Sequence, residues 1–463
     1  MAKYMVYKIT FIAALGGFLF GYDTAVISGT VACIEHFFIK PFNFPEIVAN
    51  TLLGFMVSSA LIGCVVGSFL GGYLSIKFGR VKSLKLAALL FLCSGIGSAF
   101  PEIGFAELGY SNHQYIYQFI FYRIIGGLGI GISSVLAPMY IAEISPSNMR
   151  GRLVSWNQLA IVIGILVVYF VNYIISLAGD GEWNIYWGWR LMFLASTIPA
   201  FLFLILLFFI PESPRWLMTV GRVNNADEVV SKLHITMDKD QDQYLDHTSI
   251  NVYKDRSSLK MWFVGLLLSA FQQFVGIQVV LYYAPVIFSN MGSSSNSAML
   301  QSVLVGSVNL IFTIVAIRTV DKFGRKPLLL LGSGLMCICM LLLAISFYTQ
   351  IFNVLAILSM LGFVASFAFS WGPVVWVLLS EMFPNSIRSK IMSIAVAVQW
   401  IANYFVSSTF PLIDKNTWLV ERFNHAFSFG LFALMAFLSM IFVYFLVPET
   451  KGIRLEKINN IWN

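Results

Sequence analysis

One carboxylate stands where a membrane-spanning chain rarely carries one. Asp23 lies inside an apolar run over residues 9–29, and about 20 apolar residues are enough to cross a bilayer. A charged carboxylate at the centre of a spanning helix costs about 2.5–3.5 kcal/mol on insertion scales. Two interpretations follow: Asp23 marks a helix end that headgroups hydrate, or it is a site for an ion or a proton.

Arg123 is the natural partner for this carboxylate. It lies in the apolar run 115–142, and both residues fall ~9–12 Å below the outer surface if each residue rises about 1.5 Å. Burial favours the protonated acid, whereas the guanidinium favours the carboxylate. Protonation of Asp23 would therefore release Arg123. The alternative is a static ion pair that only stabilises the fold.

Amide and indole side chains form the second group that could do chemistry. The amides in apolar runs are Gln158, Gln272, Gln273, Gln278, Asn309, Gln399 and Asn403, accompanied by Trp371, Trp376 and Trp400. An amide offers donors and acceptors, which suits a ligand made of hydroxyl groups, and an indole face suits the C–H face of a pyranose. A single buried Gln more often joins two helices. The adjacent pair Gln272-Gln273 favours a ligand site.

Composition places these residues in a membrane protein. Of 463 residues, 58% are hydrophobic and 11% are charged, against about 25% charged in soluble proteins. The net charge of +7 does not indicate nucleic-acid binding, because the basic residues fall in short loops between apolar runs. The five cysteines have no metal-type spacing. We expect no metal site, no cofactor and no enzymatic activity.

Apolar runs of near-spanning length recur through the chain and predict twelve transmembrane helices. The runs cover residues 9–29, 51–76, 84–100, 115–142, 154–177, 187–210, 260–290, 298–318, 328–347, 352–380, 391–411 and 426–446. The predicted fold class is therefore an all-α membrane protein.

Basic residues set the predicted orientation. They concentrate in alternate loops, at Lys77, Arg80, Lys82, Lys85, Arg150, Arg152, Lys322, Arg325, Lys326, Arg388 and Lys390. Positive loops stay in the cytoplasm, so both termini are predicted inside, in a multi-pass protein of the inner (plasma) membrane.

Three features repeat in the same order in the two halves of the chain. Phe78-Gly79-Arg80 returns as Phe323-Gly324-Arg325, and Pro211-Glu212-Ser213 returns as Pro448-Glu449-Thr450; a stretch from Glu to Arg also recurs, at 143–150 and 381–388. A parallel repeat of six helices is typical of secondary transporters. The predicted divisions are a bundle over 1–210, a polar cytoplasmic linker with short helices over 211–258, a bundle over 259–450, and a tail over 451–463.

Opposite charges lie at the predicted inner ends of both halves. They are Arg80, Glu143, Arg150, Glu212 and Arg215 in the first half and Arg325, Glu381, Arg388 and Glu449 in the second. Their repetition favours a cytoplasmic latch that holds the inner side closed. The alternative is ordinary loop charge, in which each exposed pair contributes ~0–1 kcal/mol.

Several motifs together resemble the sugar porter family of the major facilitator superfamily. They are Gly21-Tyr22-Asp23, Arg123-Ile124-Ile125-Gly126-Gly127, Pro211-Glu212-Ser213-Pro214-Arg215, Gln272-Gln273-Phe274-Val275-Gly276, Asp321-Lys322-Phe323-Gly324-Arg325 and Pro448-Glu449-Thr450-Lys451-Gly452. The resemblance covers nearly the whole chain, with particular similarity to the family's proton-coupled D-xylose carriers.

The resemblance implies the major facilitator fold and the import of a monosaccharide, D-xylose or a related pentose or hexose, with a proton. It implies proton coupling at Asp23 with Arg123, because facilitative members usually carry a neutral residue at the Asp23 position. It implies sugar contacts at Phe20, Gln158, Gln272, Gln273, Tyr282, Asn309, Gly372, Trp376, Gln399 and Trp400. Beyond sugar, proton and lipid bilayer, no obligate protein partner is implied.

Three positions depart from the family pattern. Gln278 stands where the motif has Asn, and Ile165 stands where the xylose carriers have Gln, so the identity of the sugar stays open. Ser196 stands where those carriers have Glu, which leaves more of the coupling to Asp23. A facilitative uniporter of the same fold is the nearest alternative function, and a non-transporting sugar sensor is a more distant one.

Overall fold

The computed structural model describes residues 2–107, 115–146, 149–233, 256–351, 354–383 and 385–451, and every regular element in these ranges is a helix. In lipid, a segment must satisfy its backbone hydrogen bonds internally, which favours helices wherever the sequence is long and apolar. The predicted all-α membrane fold is confirmed.

The α-helices of the described residues follow one another along the chain. They are α1 (Ala2–Ala25), α2 (Val31–Phe38), α3 (Glu46–Phe78), α4 (Arg80–Ala99), α5 (Tyr115–Ile144), α6 (Arg150–Ser176), α7 (Gly181–Trp183), α8 (Trp189–Ala195), α9 (Thr197–Leu206), α10 (Pro214–Thr219), α11 (Val223–Leu233), α12 (Arg256–Phe274), α13 (Ile277–Asn290), α14 (Ser295–Phe323), α15 (Arg325–Thr349), α16 (Val354–Phe369), α17 (Trp371–Glu381), α18 (Asn385–Asp414), α19 (Thr417–Phe423) and α20 (Ala426–Leu446).

Eleven helical spans among the described residues are long and apolar enough to cross a membrane. The remaining predicted run, 391–411, lies within α18, a helix of 30 residues. Two of the predicted linker's short helices are described, α10 and α11; residues 234–255 lie outside the described part.

The chain forms two compact units. One comprises Met1–Met237 with Leu281–Gly306, and the other comprises Asp238–Val280 with Ser307–Asn463. The segment Leu281–Gly306 thus groups with the first unit, although it follows the predicted linker. The predicted domain limits themselves stay a prediction.

Glycines set how closely α3 and α5 pack within the first unit. A Cβ built on Gly63 would meet the carbonyl oxygen of Ile124, and one built on Gly127 would meet the carbonyl oxygen of Ala60. Small residues of this kind let membrane helices approach at backbone distance. Because Arg123 lies on the same helix as Gly127, this packing also fixes the position of the guanidinium.

Replacing Gly127 by Ala is expected to destabilise the protein, because the added methyl group overlaps the α3 backbone. Overpacking of this kind costs about 1–3 kcal/mol. Thermal unfolding of the purified protein in detergent measures it. Gly72→Ala is the matched control, since a Cβ there meets nothing within 4 Å. Equal melting temperatures for the two variants would contradict the close-packed interface.

Two runs that the sequence predicts as single helices are interrupted. The run 260–290 breaks between α12 and α13, where Gly276 has a φ of +91°, a conformation that glycine adopts without steric cost. The run 352–380 breaks at Ser370, whose φ and ψ are −125° and −88°. Pro373, which follows, has no N–H to donate to the carbonyl of Phe369.

A third irregularity lies inside α13. Pro285 leaves the carbonyl of Leu281 without its usual helical donor, and Tyr283 has non-helical dihedral angles. The hydroxyl of Tyr169, on α6, donates to this Leu281 carbonyl at 2.6 Å. The first unit therefore satisfies the group that the proline leaves open.

A histidine–carboxylate pair joins the end of α18 to the start of α20. His425 Nδ1 lies 3.2 Å from Asp414 Oδ1, and His425 has a φ of 66° just before α20. The hydrogen bond to Asp414 raises the pKa of His425 above its usual value of 6.5. The stabilisation is then fully present below about pH 6.5 and is lost as the pH rises through the folded-state pKa.

We expect the melting temperature to fall as the pH rises from about 5.5 to about 8.5. His425→Gln should remove the part of this fall that comes from His425. Lys415, the other charged group acting on His425, opposes the rise in its pKa. Thermal unfolding in detergent across this pH range measures the component, and Asp414→Asn should remove the same one. A wild-type pH dependence that survives both substitutions would contradict this assignment.

Candidate functional site

Asp23 and Arg123 form a buried ion pair in the first unit. Arg123 Nη1 lies 3.3 Å from Asp23 Oδ2, and the two side chains are 1% and 3% exposed. Arg123 Nη2 donates to the carbonyl oxygen of Asp23 at 3.4 Å, so only one nitrogen contacts the carboxylate. Protonating this carboxylate would weaken the only charge–charge contact that the structure gives the guanidinium.

The surroundings of this pair are tight and short of hydrogen-bond partners. The Arg123 guanidinium lies 5.2 Å from the centre of the Phe193 ring, and a Cβ on Gly126 would come within 3.2 Å of Asp23 Oδ2. In the described part of the chain, Arg123 Nε and Ser94 Oγ have no hydrogen-bond partner. The Arg123 Nε–H and the Ser94 hydroxyl are therefore donors without a described acceptor in the surroundings of the carboxylate.

Ser196 does not supply a second acid near the pair. Its hydroxyl donates to the carbonyl oxygen of Phe193, in the preceding turn, at 2.7 Å. A serine does not titrate in this range. Of the two positions, only Asp23 carries a carboxylate that can gain and lose a proton.

A second buried ion pair in the first unit was not anticipated from the sequence. Arg190 Nη1 lies 2.6 Å from Glu102 Oε1, and the two side chains are 0% and 1% exposed. Arg190 also donates to the carbonyl oxygen of Ala99 at 2.9 Å and lies over the Trp189 ring. The available signal was an arginine at the start of an apolar run, but Glu102 lies in a loop and gave none.

The second unit brings two of the predicted amides into contact. Gln399, on α18, donates to Gln272 Oε1, on α12. Gln272 Nε2 in turn donates to the carbonyl oxygens of Trp371 and Gly372 at 2.9 and 3.2 Å. Both carbonyl oxygens belong to the first turn of α17, directly after the break at Ser370. Gln272 is only 2% exposed.

Trp371 is held in place by hydroxyl groups that the sequence did not single out. Its indole Nε1 donates to Ser333 Oγ at 2.8 Å, and the Ser439 hydroxyl donates to the same oxygen at 3.2 Å. Ser333 lies on α15 and Ser439 on α20. Five helices, α12, α15, α17, α18 and α20, therefore contribute to the amide cluster and its support, and we define the cluster as Gln272, Gln399, Trp371 and Gly372.

The other predicted sugar-contact residues are buried or half-buried within their helices. Gln273 is 3% exposed, and its Oε1 has no hydrogen-bond partner among the described residues. In the second unit, Asn309 and Trp400 are buried while Gln278 and Trp376 are half-buried; in the first unit, Tyr282 is buried while Phe20 and Gln158 are half-buried.

The predicted latch residues form the same arrangement in both units. Glu212 accepts hydrogen bonds from the backbone N–H groups of Arg80 and Val81 at the start of α4. Glu449 accepts from the N–H groups of Arg325 and Lys326 at the start of α15. A carboxylate at a helix N-terminus satisfies N–H groups that have no helical partner. Gly79 and Gly324, with φ of +92° and +90°, precede both helices.

Among the described side chains, an ion pair lies beside the Glu212 cap. Arg80 contacts Glu143 with two nitrogens, at 2.7 and 2.9 Å. Arg215 forms no ion pair in the described part of the chain. The side chains of Arg150, Glu381 and Arg388 lie outside the described residues. The latch stays a prediction, but Glu212 and Glu449 each cap a helix within their own unit.

The profile of the family described as "Sugar (and other) transporter" matches residues 9–462. The chain belongs to the sugar transporter family. This transporter is 52% identical to the D-xylose-proton symporter of Escherichia coli (strain K12), over 99% of this chain and 96% of that protein.

This transporter also resembles a second sugar carrier in sequence and a solved sugar transporter in structure. It is 39% identical to the glucose facilitated diffusion protein of Zymomonas mobilis, over 99% of this chain and 98% of that one. Its structure matches the xylose transporter XylE of E. coli in a partially occluded inward-open conformation, with a TM-score of 0.87 and 50% identity over 97% of this chain. The predicted major facilitator fold is confirmed.

Proposed function

We propose that this transporter imports a monosaccharide, D-xylose or a related pentose or hexose, together with a proton by alternating access. The observation that carries the proton coupling is the buried pair at 3.3 Å between Asp23, in the first span, and Arg123, in the span formed by α5. The high identity to a D-xylose-proton symporter supports the same reading.

The proton acts on this pair. A proton on Asp23 removes the negative charge that faces Arg123, and leaving a buried guanidinium without its carboxylate is costly. The first unit then favours a different arrangement of α1 and α5. When the proton leaves, the ion pair reforms, and the carrier returns to its starting state.

The sugar is held by amides and indoles. The amide cluster of the second unit presents donors and acceptors on a buried scaffold, and Gln273 Oε1 is an acceptor still without a partner in the described part. A neutral sugar needs hydrogen-bonding groups and no charged clamp. The residues proposed from the family resemblance, including Gln158 and Asn309, complete the contacts.

Sugar uptake into proteoliposomes tests this function. With the outside more acidic than the inside, labelled D-xylose should accumulate above its external concentration, and adding sugar to an unbuffered suspension should make the medium more alkaline. A panel of pentoses and hexoses as competitors identifies the preferred sugar. Uptake that stops at equal concentrations, without alkalinisation, would establish a uniporter instead.

A facilitative uniporter is the second candidate function. The observation that favours it is the 39% identity to a glucose facilitated diffusion protein, together with Ser196 in place of a second acid. In that case Asp23 and Arg123 only stabilise the first unit. The alkalinisation measurement separates the two functions.

A further inference from the structure

A cleft with a volume of about 480 Å³ opens at the end of the first unit that carries the basic loops. It lies between α11, the start of α1, the start of α4 and the turn that follows α9. The lining combines apolar residues with charged ones, among them Phe208, Phe209, Lys82, Arg222 and Lys232. None of the proposed sugar or proton residues lines it.

The apolar wall of the cleft continues onto the surface that faces the bilayer. Phe208 and Phe209 are 66% and 71% exposed, and they follow directly on the span that ends at Leu206. Large exposed aromatic side chains at a span end lie at the membrane–water boundary. The cleft is therefore open to lipid on one side and to water on the other.

Two cations at the cleft have no carboxylate partner. Lys82 and Arg222 are exposed and form no ion pair in the part of the chain that the structure describes. Nearby, Lys85 Nζ lies 3.7 Å from the centre of the Phe208 ring. Unpaired cations beside an apolar wall offer a phosphate both charge and hydrogen bonds.

The acids that line the cleft are already engaged. Glu228 pairs with Lys232 at 2.5 Å. Glu212 accepts the backbone N–H groups of α4, and burial raises its pKa. Among the described residues that line the cleft, the charges without a partner are therefore those of Lys82 and Arg222.

We propose that this cleft binds the headgroup of an anionic phospholipid, with the phosphate between Lys82 and Arg222 and the acyl chains along Phe208 and Phe209. An anionic lipid matches both the unpaired positive charge and the lipid-facing aromatic wall. A free phosphate matches only the first. A lipid bound there contacts α11 and the starts of α1 and α4 at the same time.

Native mass spectrometry of the purified full-length protein tests the proposal. The protein in nonionic detergent is given equal amounts of dioleoylphosphatidylglycerol and dioleoylphosphatidylcholine. We expect the wild type to retain phosphatidylglycerol preferentially. Lys82→Gln/Arg222→Gln should lose about 25-fold of that preference, since each of the two juxtamembrane cations contributes about 1 kcal/mol toward anionic lipid, roughly a fivefold change in affinity.

The matched control is Lys77→Gln/Arg152→Gln, which removes two exposed cations from the same end of the first unit without altering the cleft. An equal loss in both variants, or no preference in the wild type, would overturn the site. Displacement of the lipid by millimolar inorganic phosphate would overturn the lipid assignment. All four substituted residues are exposed, and melting temperatures in detergent verify that each variant is folded. None of these readouts requires transport, so the result is independent of the proposed function.

Discussion

Asp23→Asn is expected to abolish uphill sugar accumulation while sugar exchange across the membrane continues. The amide keeps the size and hydrogen-bonding capacity of the protonated acid, but it cannot lose a proton. With one proton moved per sugar, a gradient of one pH unit supports about a tenfold accumulation. The variant should reach an accumulation ratio of about 1 under the same gradient, and adding sugar should no longer make the medium alkaline.

Glu102→Gln is the matched control for this experiment. It makes the same carboxylate-to-amide change in the other buried ion pair of the first unit, where Glu102 faces Arg190 at 2.6 Å. Breaking a buried pair destabilises a protein by up to about 3–5 kcal/mol, so this variant should unfold at a lower temperature. It should nevertheless concentrate sugar as the wild type does.

Two results would decide against proton coupling at Asp23. Full accumulation by Asp23→Asn would mean that the proton is carried elsewhere. Loss of accumulation in both variants, in step with their loss of stability, would mean that Asp23 and Arg123 are structural. Counterflow of labelled sugar in each variant shows that the carrier remains able to bind and move its substrate.

Gln272→Ala is expected to weaken sugar binding by about 5- to 150-fold. The substitution removes the acceptor of the Gln399 amide and the donor to Trp371 and Gly372. A buried polar group left without its partner costs about 1–3 kcal/mol, which corresponds to roughly 5- to 150-fold in affinity. Gln399 then loses the orientation in which the site holds it.

Asn172→Ala is the control for the loss of a buried amide. Asn172 is 1% exposed and donates to the carbonyl oxygen of Val26 at 3.2 Å, and it is not among the proposed sugar contacts. Both variants should lose stability, but only Gln272→Ala should lose sugar affinity, measured by isothermal titration or by the KM of uptake. Equal, small effects on affinity would mean that Gln272 only joins helices.

Much of the architecture was predictable because membrane helices form under local rules. A long apolar run such as 51–76 has to satisfy its backbone within itself in lipid, so its length and hydropathy are sufficient. The duplicated Gly-Arg and Pro-Glu elements were also visible in the sequence. Their capping role was not, because it joins residues 123 to 132 positions apart whose charges the sequence indicated as a latch.

The interruptions show where local patterns were insufficient. Gly276 and Pro373 were both visible, but glycine and proline are tolerated inside membrane helices when neighbours satisfy the freed groups. Whether a run bends, breaks or continues depends on those neighbours. The hydroxyl of Tyr169 on the Leu281 carbonyl is one example, and no spacing rule relates two residues on separate helices.

The membrane class, the positions of the spans and the polar side chains within them can all be predicted from the amino-acid sequence. Which of those side chains meet becomes known only from the folded chain: Gln272 with Gln399, Glu102 with Arg190, and Asp23 with a single nitrogen of Arg123. The reason is physical. Hydropathy acts on each segment separately, whereas side-chain pairing requires the rotation and depth of two helices, and these follow from how closely glycines such as Gly63 and Gly127 let the backbones approach.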